Sequence, residues 1–246
     1  MQGMKLVHAV LVLGTLATGT LGCGGESVAP TPMKHHVAGD AIPFDNGPDG
    51  RIVGAKVWVL EHPDMTMMTG ADGHFEFDGF DPGDEVTLVL EHPDFHLIQT
   101  GTQTVGDADI DRVTFQAVSH DIYGLLAGVV GVTPDETGSC QMVTTITRIG
   151  KSIYNSGAHG ELGVKVTLDP PLPAALGPVY FNAAVIPDKD LKLSSPDGGV
   201  LYANVPPGEY TWTATKASAE FTTVKMKCRP GVLVNASPPH GIQRTK

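Results

Sequence analysis

Positive charge is scarce in this sequence. Sixteen lysines and arginines stand against 27 aspartates and glutamates, a formal charge of −11. An acidic surface repels a phosphate backbone, which argues against nucleic acid as a partner. Cysteine is scarcer still: three residues, with no C-x-x-C or cysteine/histidine spacing of the kind that builds a zinc site. No P-loop, G-x-G-x-x-G dinucleotide fingerprint, H-E-x-x-H helix or G-x-S-x-G elbow occurs, so the common nucleotide, zinc-protease and hydrolase signatures are missing. Long charged runs are also few. Thirty glycines and 19 prolines instead describe many turns joining short elements, an all-β bias.

The chain starts with a basic Lys5 and an apolar run over residues 6–17 that is too short to span a bilayer, which takes about 20 residues. Residues 1–22 therefore read as a secretory signal peptide. Thr20-Leu21-Gly22-Cys23 resembles a bacterial lipobox, with its leucine two rather than three residues before the cysteine. That resemblance implies a lipid on Cys23, a membrane partner through that anchor, and an exported protein held in the cell envelope, at the outer membrane. With Cys23 lipidated, Cys140 and Cys228 remain as a pair in a compartment where disulfides persist. A bridge between them would contribute about 4 kcal/mol in the chain-entropy model. Residues 23–49 are rich in proline and glycine and lack an apolar period, so a flexible tether is expected there, with His35-His36 as an inert exposed pair.

Two stretches echo one another: T-G-A-D-G-H-F-E-F-D-G-F-D-P-G over residues 69–83 and S-S-P-D-G-G-V-L-Y-A-N-V-P-P-G over 194–208. Asp-Gly favours a hairpin and Pro before Gly a tight turn, which predicts a hairpin in each copy. Short alternating strands are expected at 55–60, 74–77, 86–90, 99–105 and 112–115, and G-V-K-V-T-L at 163–168 mirrors G-A-K-V-W-V at 54–59. Apolar residues at 122, 125, 126, 129 and 130 predict one helix of about three turns with Ser119 as its N-cap. Ser119, His120 and Asp121 are chain neighbours, the wrong arrangement for a hydrolytic triad.

Gly54-Ala55-Lys56-Val57-Trp58-Val59, Thr69, Asp72-Gly73-His74-Phe75 and Pro82-Gly83 together resemble the carboxypeptidase regulatory-like domain, a transthyretin-like (prealbumin-like) β-sandwich. The resemblance covers about a quarter of the chain strongly. It implies an all-β protein of two such sandwich modules, over residues 50–117 and 163–246, joined by a helix and strand over 118–162. It also implies a non-catalytic accessory or scaffold role, with no cofactor. The fold is similar to that of intradiol ring-cleaving dioxygenases as well, but the H-x-H that their iron site needs is absent.

Two candidate sites follow from the residues. Glu61-His62-Pro63-Asp64 and Glu91-His92-Pro93-Asp94 each end a strand, and a meander with one strand between would place both at one end of the sandwich. There Glu61, His62, Glu91, His92 and the nearby His96 could ligate a divalent metal. Turn chemistry used twice is the alternative. Trp58, Tyr180, Tyr202, Tyr210 and Trp212 could form an aromatic platform for a sugar ring, or serve as strand core residues. Asp107, Asp109 and Asp111 imitate the start of a calcium loop, but Arg112 and Val118 occupy the positions of its glycine and glutamate. The expected function is a non-enzymatic, lipid-anchored envelope module that binds or scaffolds a carbohydrate, other polymer or envelope protein. A small metal-binding protein or metal-dependent enzyme is the competing expectation.

Overall fold

The computed structural model describes residues 33–246, which form one compact unit. The expected signal peptide, the expected lipidation site Cys23 and most of the expected tether lie outside the described residues. The described residues open with β1 (His35–Pro43), β2 (Lys56–Val59), β3 (Thr66–Met68) and β4 (His74–Phe80). It continues with β5 (Glu85–Val86), β6 (Leu88–His92), β7 (Phe95–Gln99), β8 (Gln103–Thr104) and β9 (Ile110–Ala117). The one α-helix among the described residues, α1 (His120–Val130), follows. The second half contains β10 (Cys140–Thr147), β11 (Lys165–Asp169), β12 (Val179–Phe181), β13 (Pro187–Asp188) and β14 (Gly199–Val205). It ends with β15 (Gly208–Thr215), β16 (Val224–Cys228), β17 (Leu233–Ala236) and β18 (Ile242–Gln243).

Two β-sandwich modules result. In the first, the sheet β4-β1-β9 packs on β7-β6-β2-β3, with Val37, Phe75, Phe77 and Phe115 meeting Val57, Leu88, Leu90 and Ile98 in a buried core. In the second, β14-β10-β17 packs on β11-β15-β16, with Met142, Val200 and Val234 meeting Val166, Trp212 and Met226. The modules are not independent, because β17 pairs in parallel with β7 and makes one continuous sheet, β13-β12-β14-β10-β17-β7-β6-β2-β3. Cys140 and Cys228 are joined by the expected disulfide, at a Cα separation of 5.6 Å, and it ties the two layers of the second module together.

The echo in the sequence corresponds to a repeated hydrogen-bond pattern. The Thr69 hydroxyl donates to the Ile52 carbonyl (2.7 Å) and accepts from the Ala55 N–H (2.9 Å). The Ser194 hydroxyl donates to the Glu161 carbonyl (2.5 Å) and accepts from the Val164 N–H (2.9 Å). Relative to Gly54 and Gly163 these are the same positions. Further out, Ala41 N–H donates to Gly73 O and Ile146 N–H to Gly198 O, while Ile52 N–H donates to Ala41 O and Glu161 N–H to Ile146 O. Strand β1 is thus the counterpart of β10, and each pairs antiparallel to the Asp-Gly strand and parallel to a later strand, β9 for β1 and β17 for β10.

Three expectations need correction. Residues 35–43, assigned to the tether, form the central strand of a sheet, with Val37, Ala41 and Ile42 fully buried. Residues 140–147, assigned to the connector, are the equivalent central strand of the second module. The Asp-Gly turns are not hairpin turns, because β3 pairs with β2 whereas β4 crosses to the opposite sheet and pairs with β1. Gly73 and Gly198 adopt φ of 68° and 85°, and in both cases the turn delivers the chain to the other layer.

The helix starts and ends as its sequence requires. Ser119 accepts a hydrogen bond from the Ile122 N–H (3.3 Å), and Gly131 closes the helix in the left-handed region at φ 65°. Its inner face, Tyr123, Leu126, Ala127 and Val130, lies over Val143, Leu201 and Ala203 on the outer side of β14-β10.

Candidate functional site

The largest departure of the second module from the first is the proline-rich insertion between β11 and β12. It folds over β11 and leaves a groove of about 470 Å³. Leu168, Leu172 and Leu191 form apolar walls, Tyr180 and Tyr202 the floor, and Lys165 and Lys192 contribute the positive charge. The groove follows the free edge of β11, which is the outer strand of its sheet. The Tyr180 hydroxyl accepts the Val166 N–H at 2.9 Å and caps one of the edge donors. Burial raises both phenols, Tyr202 to about 12 with Tyr180 beside it adding to the effect, so both rings are neutral at physiological pH.

The aromatic platform does not form. Tyr180, Tyr202 and Trp212 are 1%, 4% and 0% exposed, and Tyr210 is buried too. Trp212 stands edge-on to Tyr202 at 5.2 Å between ring centres, with its indole N–H directed at the Met226 sulfur (2.9 Å). Alternation along a strand that faces a core places large rings inward, and that is their role here. Trp58 is in the other module, half-buried on β2 with the Lys56 ammonium 5.2 Å above its ring.

The metal site expected at the strand ends does not form either. Strands β2 and β6 are adjacent and antiparallel, with Val59 opposite Leu88 and Lys56 opposite Glu91. The two Glu-His-Pro-Asp segments therefore lie at opposite ends of the pair, about 16 Å apart at a strand rise near 3.3 Å per residue. The meander assumption fails because β4, which lies between them in the chain, belongs to the other sheet. Glu61 is instead a strut between the modules: its carboxylate accepts from the Thr87 N–H (2.8 Å) and hydroxyl (2.7 Å) and from Lys227 of the second module (2.7 Å). Burial alone would lower the Lys227 pKa, but hydrogen bonds to Glu61 and Glu85 outweigh it and leave it raised. His62 is exposed. Glu91 and His92 line a shallow cleft with Lys56, Phe95 and His120, and His92 Nδ1 accepts the Asp94 N–H at 3.2 Å, which is turn chemistry.

His96 is placed differently again. Its ring stacks on Tyr123 of α1 at 3.8 Å, and its buried Nε2 lies 3.7 Å from a Glu136 carboxylate oxygen without a hydrogen-bond partner. Burial lowers the His96 pKa, against the pull of Glu136 and with the help of His120. Sequence reasoning missed another constellation, on the outer face of β4-β1-β9. His36, Glu76 and Asp78 there offer ligand atoms all within 4.8 Å of one another. The alternation H-F-E-F-D at residues 74–78 was the available signal for the exposed half of this cluster.

No protein-family model matches the chain, and no curated protein matches it in sequence. Among solved structures, 82% of the chain is similar to the Bacillus anthracis TIE protein at 10% identity and TM-score 0.28, spanning 33% of that protein's length. It is similar over 86% of its length to 97% of a minor pilin of Streptococcus agalactiae, at 8% identity and TM-score 0.27. A shaft pilin of Lactobacillus rhamnosus GG is similar over 86% of this chain and 97% of its own, at 10% identity and TM-score 0.24. At these scores the likenesses carry no argument about activity or partner.

Proposed function

We propose that this is an exported, non-enzymatic binding or scaffolding protein of a bacterial cell envelope, held at a membrane by a lipid on Cys23. Its partner is an extended chain, glycan or polypeptide, laid in the groove along β11. The observation that carries this reading is the groove itself: walls that include Leu172 and Leu191, and two lysines, beside the outer strand of a sheet. An open strand edge offers backbone donors and acceptors to an extended partner, and flanking pockets select its side groups. The volume lies in the range of small-ligand and subsite clefts. The carboxypeptidase regulatory-like reading is supported by Thr69, the motif threonine, which satisfies two backbone groups at the entry to β2. The disulfide supports an oxidising compartment.

The test for the groove is binding of the protein to a glycan array and to envelope proteins, compared with a Lys165→Glu/Leu191→Asp variant. Loss of the wild-type ligand in the variant supports the reading, and a ligand bound equally by both sinks it. For the anchor, intact mass of the membrane fraction should show a diacylglycerol-modified Cys23. A Cys23→Ala chain that stays in the membrane would refute it.

A further inference from the structure

We propose that the outer face of β4-β1-β9 is a binding site for a divalent first-row cation, ligated by His36, Glu76 and Asp78, with Asp111 as a fourth donor. The proposal is independent of the groove reading above. His36 on β1 is paired in register with Asp78 on β4, and Glu76 lies two residues further along β4 on the same exposed face. Alternation along paired strands holds all three side chains on one side of a rigid sheet. One donor atom from each falls within 4.8 Å of the others, so a small rotamer adjustment brings them to the roughly 2 Å bond lengths of such an ion.

The imidazole is already oriented. Asp109 accepts the His36 backbone N–H at 3.0 Å and the His35 Nδ1 at 3.2 Å, and its other oxygen is 3.5 Å from His36 Nδ1. Asp109 holds the Nδ1 side of the ring by ion-pair attraction, which leaves the other nitrogen for the metal. That other nitrogen, Nε2, is 3.1 Å from Asp111 Oδ1. A cation at Nε2 would replace the proton bridging His36 and Asp111 and recruit that carboxylate. The ion-pair partners of Glu76, Asp109 and Asp111 among the described residues are histidines, whereas Lys34 is engaged by Asp81. A doubly charged ion would therefore relieve repulsion among four carboxylates on one sheet face. One nitrogen with several carboxylate oxygens suits manganese or zinc better than calcium, which takes an all-oxygen shell. The second module provides an internal control, because the positions equivalent to His36, Glu76 and Asp78 hold Gln141, Leu201 and Ala203.

The full chain, stripped with a chelator, should take up one equivalent of Mn²⁺, read by loss of the free-ion electron paramagnetic resonance signal, and Zn²⁺ should displace it. The Glu76→Gln/Asp78→Asn double variant changes only exposed side chains and should melt in chelator as the wild type does while binding Mn²⁺ at least about tenfold more weakly. His36→Gln should weaken binding similarly, and His62→Ala/His92→Ala should leave it unchanged. Absence of saturable Mn²⁺ and Zn²⁺ uptake overturns the proposal, as does uptake that survives the Glu76/Asp78 double variant. Should His36→Gln fail to fold, the double variant alone decides.

Discussion

The two modules share a hydrogen-bond skeleton and differ in what covers it. Sheet β4-β1-β9 and sheet β14-β10-β17 are equivalent strand by strand, yet the outer face of the second is apolar and roofed by α1. The outer face of the first bears His36, Asp40, His74, Glu76 and Asp78. Glu76 corresponds to Leu201 and Asp78 to Ala203. The comparison separates two kinds of constraint. Positions that satisfy backbone groups keep their chemistry, as Thr69 and Ser194 do, because an unpaired buried N–H or C=O costs stability wherever the module sits. Positions on an outer face follow whatever lies beyond them.

The sharpest difference between the modules is covalent. Six residues before Ala41 stands His35, and six before Ile146 stands Cys140; the histidine pairs with Asp109 at 3.2 Å where the cysteine is bridged to Cys228. Replacing both cysteines by serine should destabilise the second module by about 4 kcal/mol. Each module holds one of the two tryptophans, so a Trp58→Phe background leaves Trp212 as the reporter of the second. Denaturant unfolding followed by its fluorescence should move to much lower midpoint on reduction. An unchanged midpoint would show that the bridge does not hold this module.

The shared skeleton predicts matched losses. Thr69→Ala and Ser194→Ala each remove a hydroxyl that serves one buried donor and one buried acceptor, and each should cost about 2–3 kcal/mol. The swaps Thr69→Ser and Ser194→Thr should cost under about 1 kcal/mol, since the hydroxyl is kept. Chemical denaturation of the four variants checks this. A large loss at one site with none at the other would break the equivalence of the two copies.

The junction between modules is tested at Glu61. Glu61→Ala leaves Lys227 and the Thr87 N–H short of an acceptor and should cost about 2 kcal/mol, whereas exposed His62→Ala should fall within about 0.5 kcal/mol of wild type. Because Glu61 joins the first module to a β16 lysine, calorimetry of Glu61→Ala should show the single transition broadening or splitting. Equal effects at 61 and 62 would return both residues to a common role.

Much of this organisation was legible in the sequence because it is local. The Asp-Gly turns, the helix with its Ser119 cap and the short alternating strands follow from neighbouring residues. The misreadings share a physical cause. Strands β1 and β10 are central strands whose partners lie 34 and more residues away, and H-H-V-A-G-D-A-I-P has few β-branched residues to announce itself. Its register is set by Phe75 and Phe77 across the sheet rather than by its own pattern. The Glu-His-Pro-Asp repeat was legible as a repeat but not as a location, since which end of a sheet a strand end occupies depends on how often the chain changes layers. The aromatic residues were legible as strand residues, and only packing decides which face of a strand is inside.

The smallest expected effect concerns pH. His96 of β7 is pressed against Tyr123 of α1, and burial holds its pKa below the ordinary 6.5. The unfolded chain therefore takes up this proton before the folded one does. The stabilisation is fully present above about pH 6.5 and is lost as pH falls from there through the folded pKa. His159 in the second module is lowered by burial as well, with Asp197 opposing, and His240 likewise, so the wild-type slope sums several rings. Comparison with His96→Gln isolates one of them: the variant should lose less stability between pH 6.5 and pH 5 than the wild type, measured by urea denaturation at each pH. Nuclear magnetic resonance of the ring gives the microscopic value. A His96 that titrates at or above 6.5 would mean that Glu136 outweighs burial, and would reverse the sign of the difference.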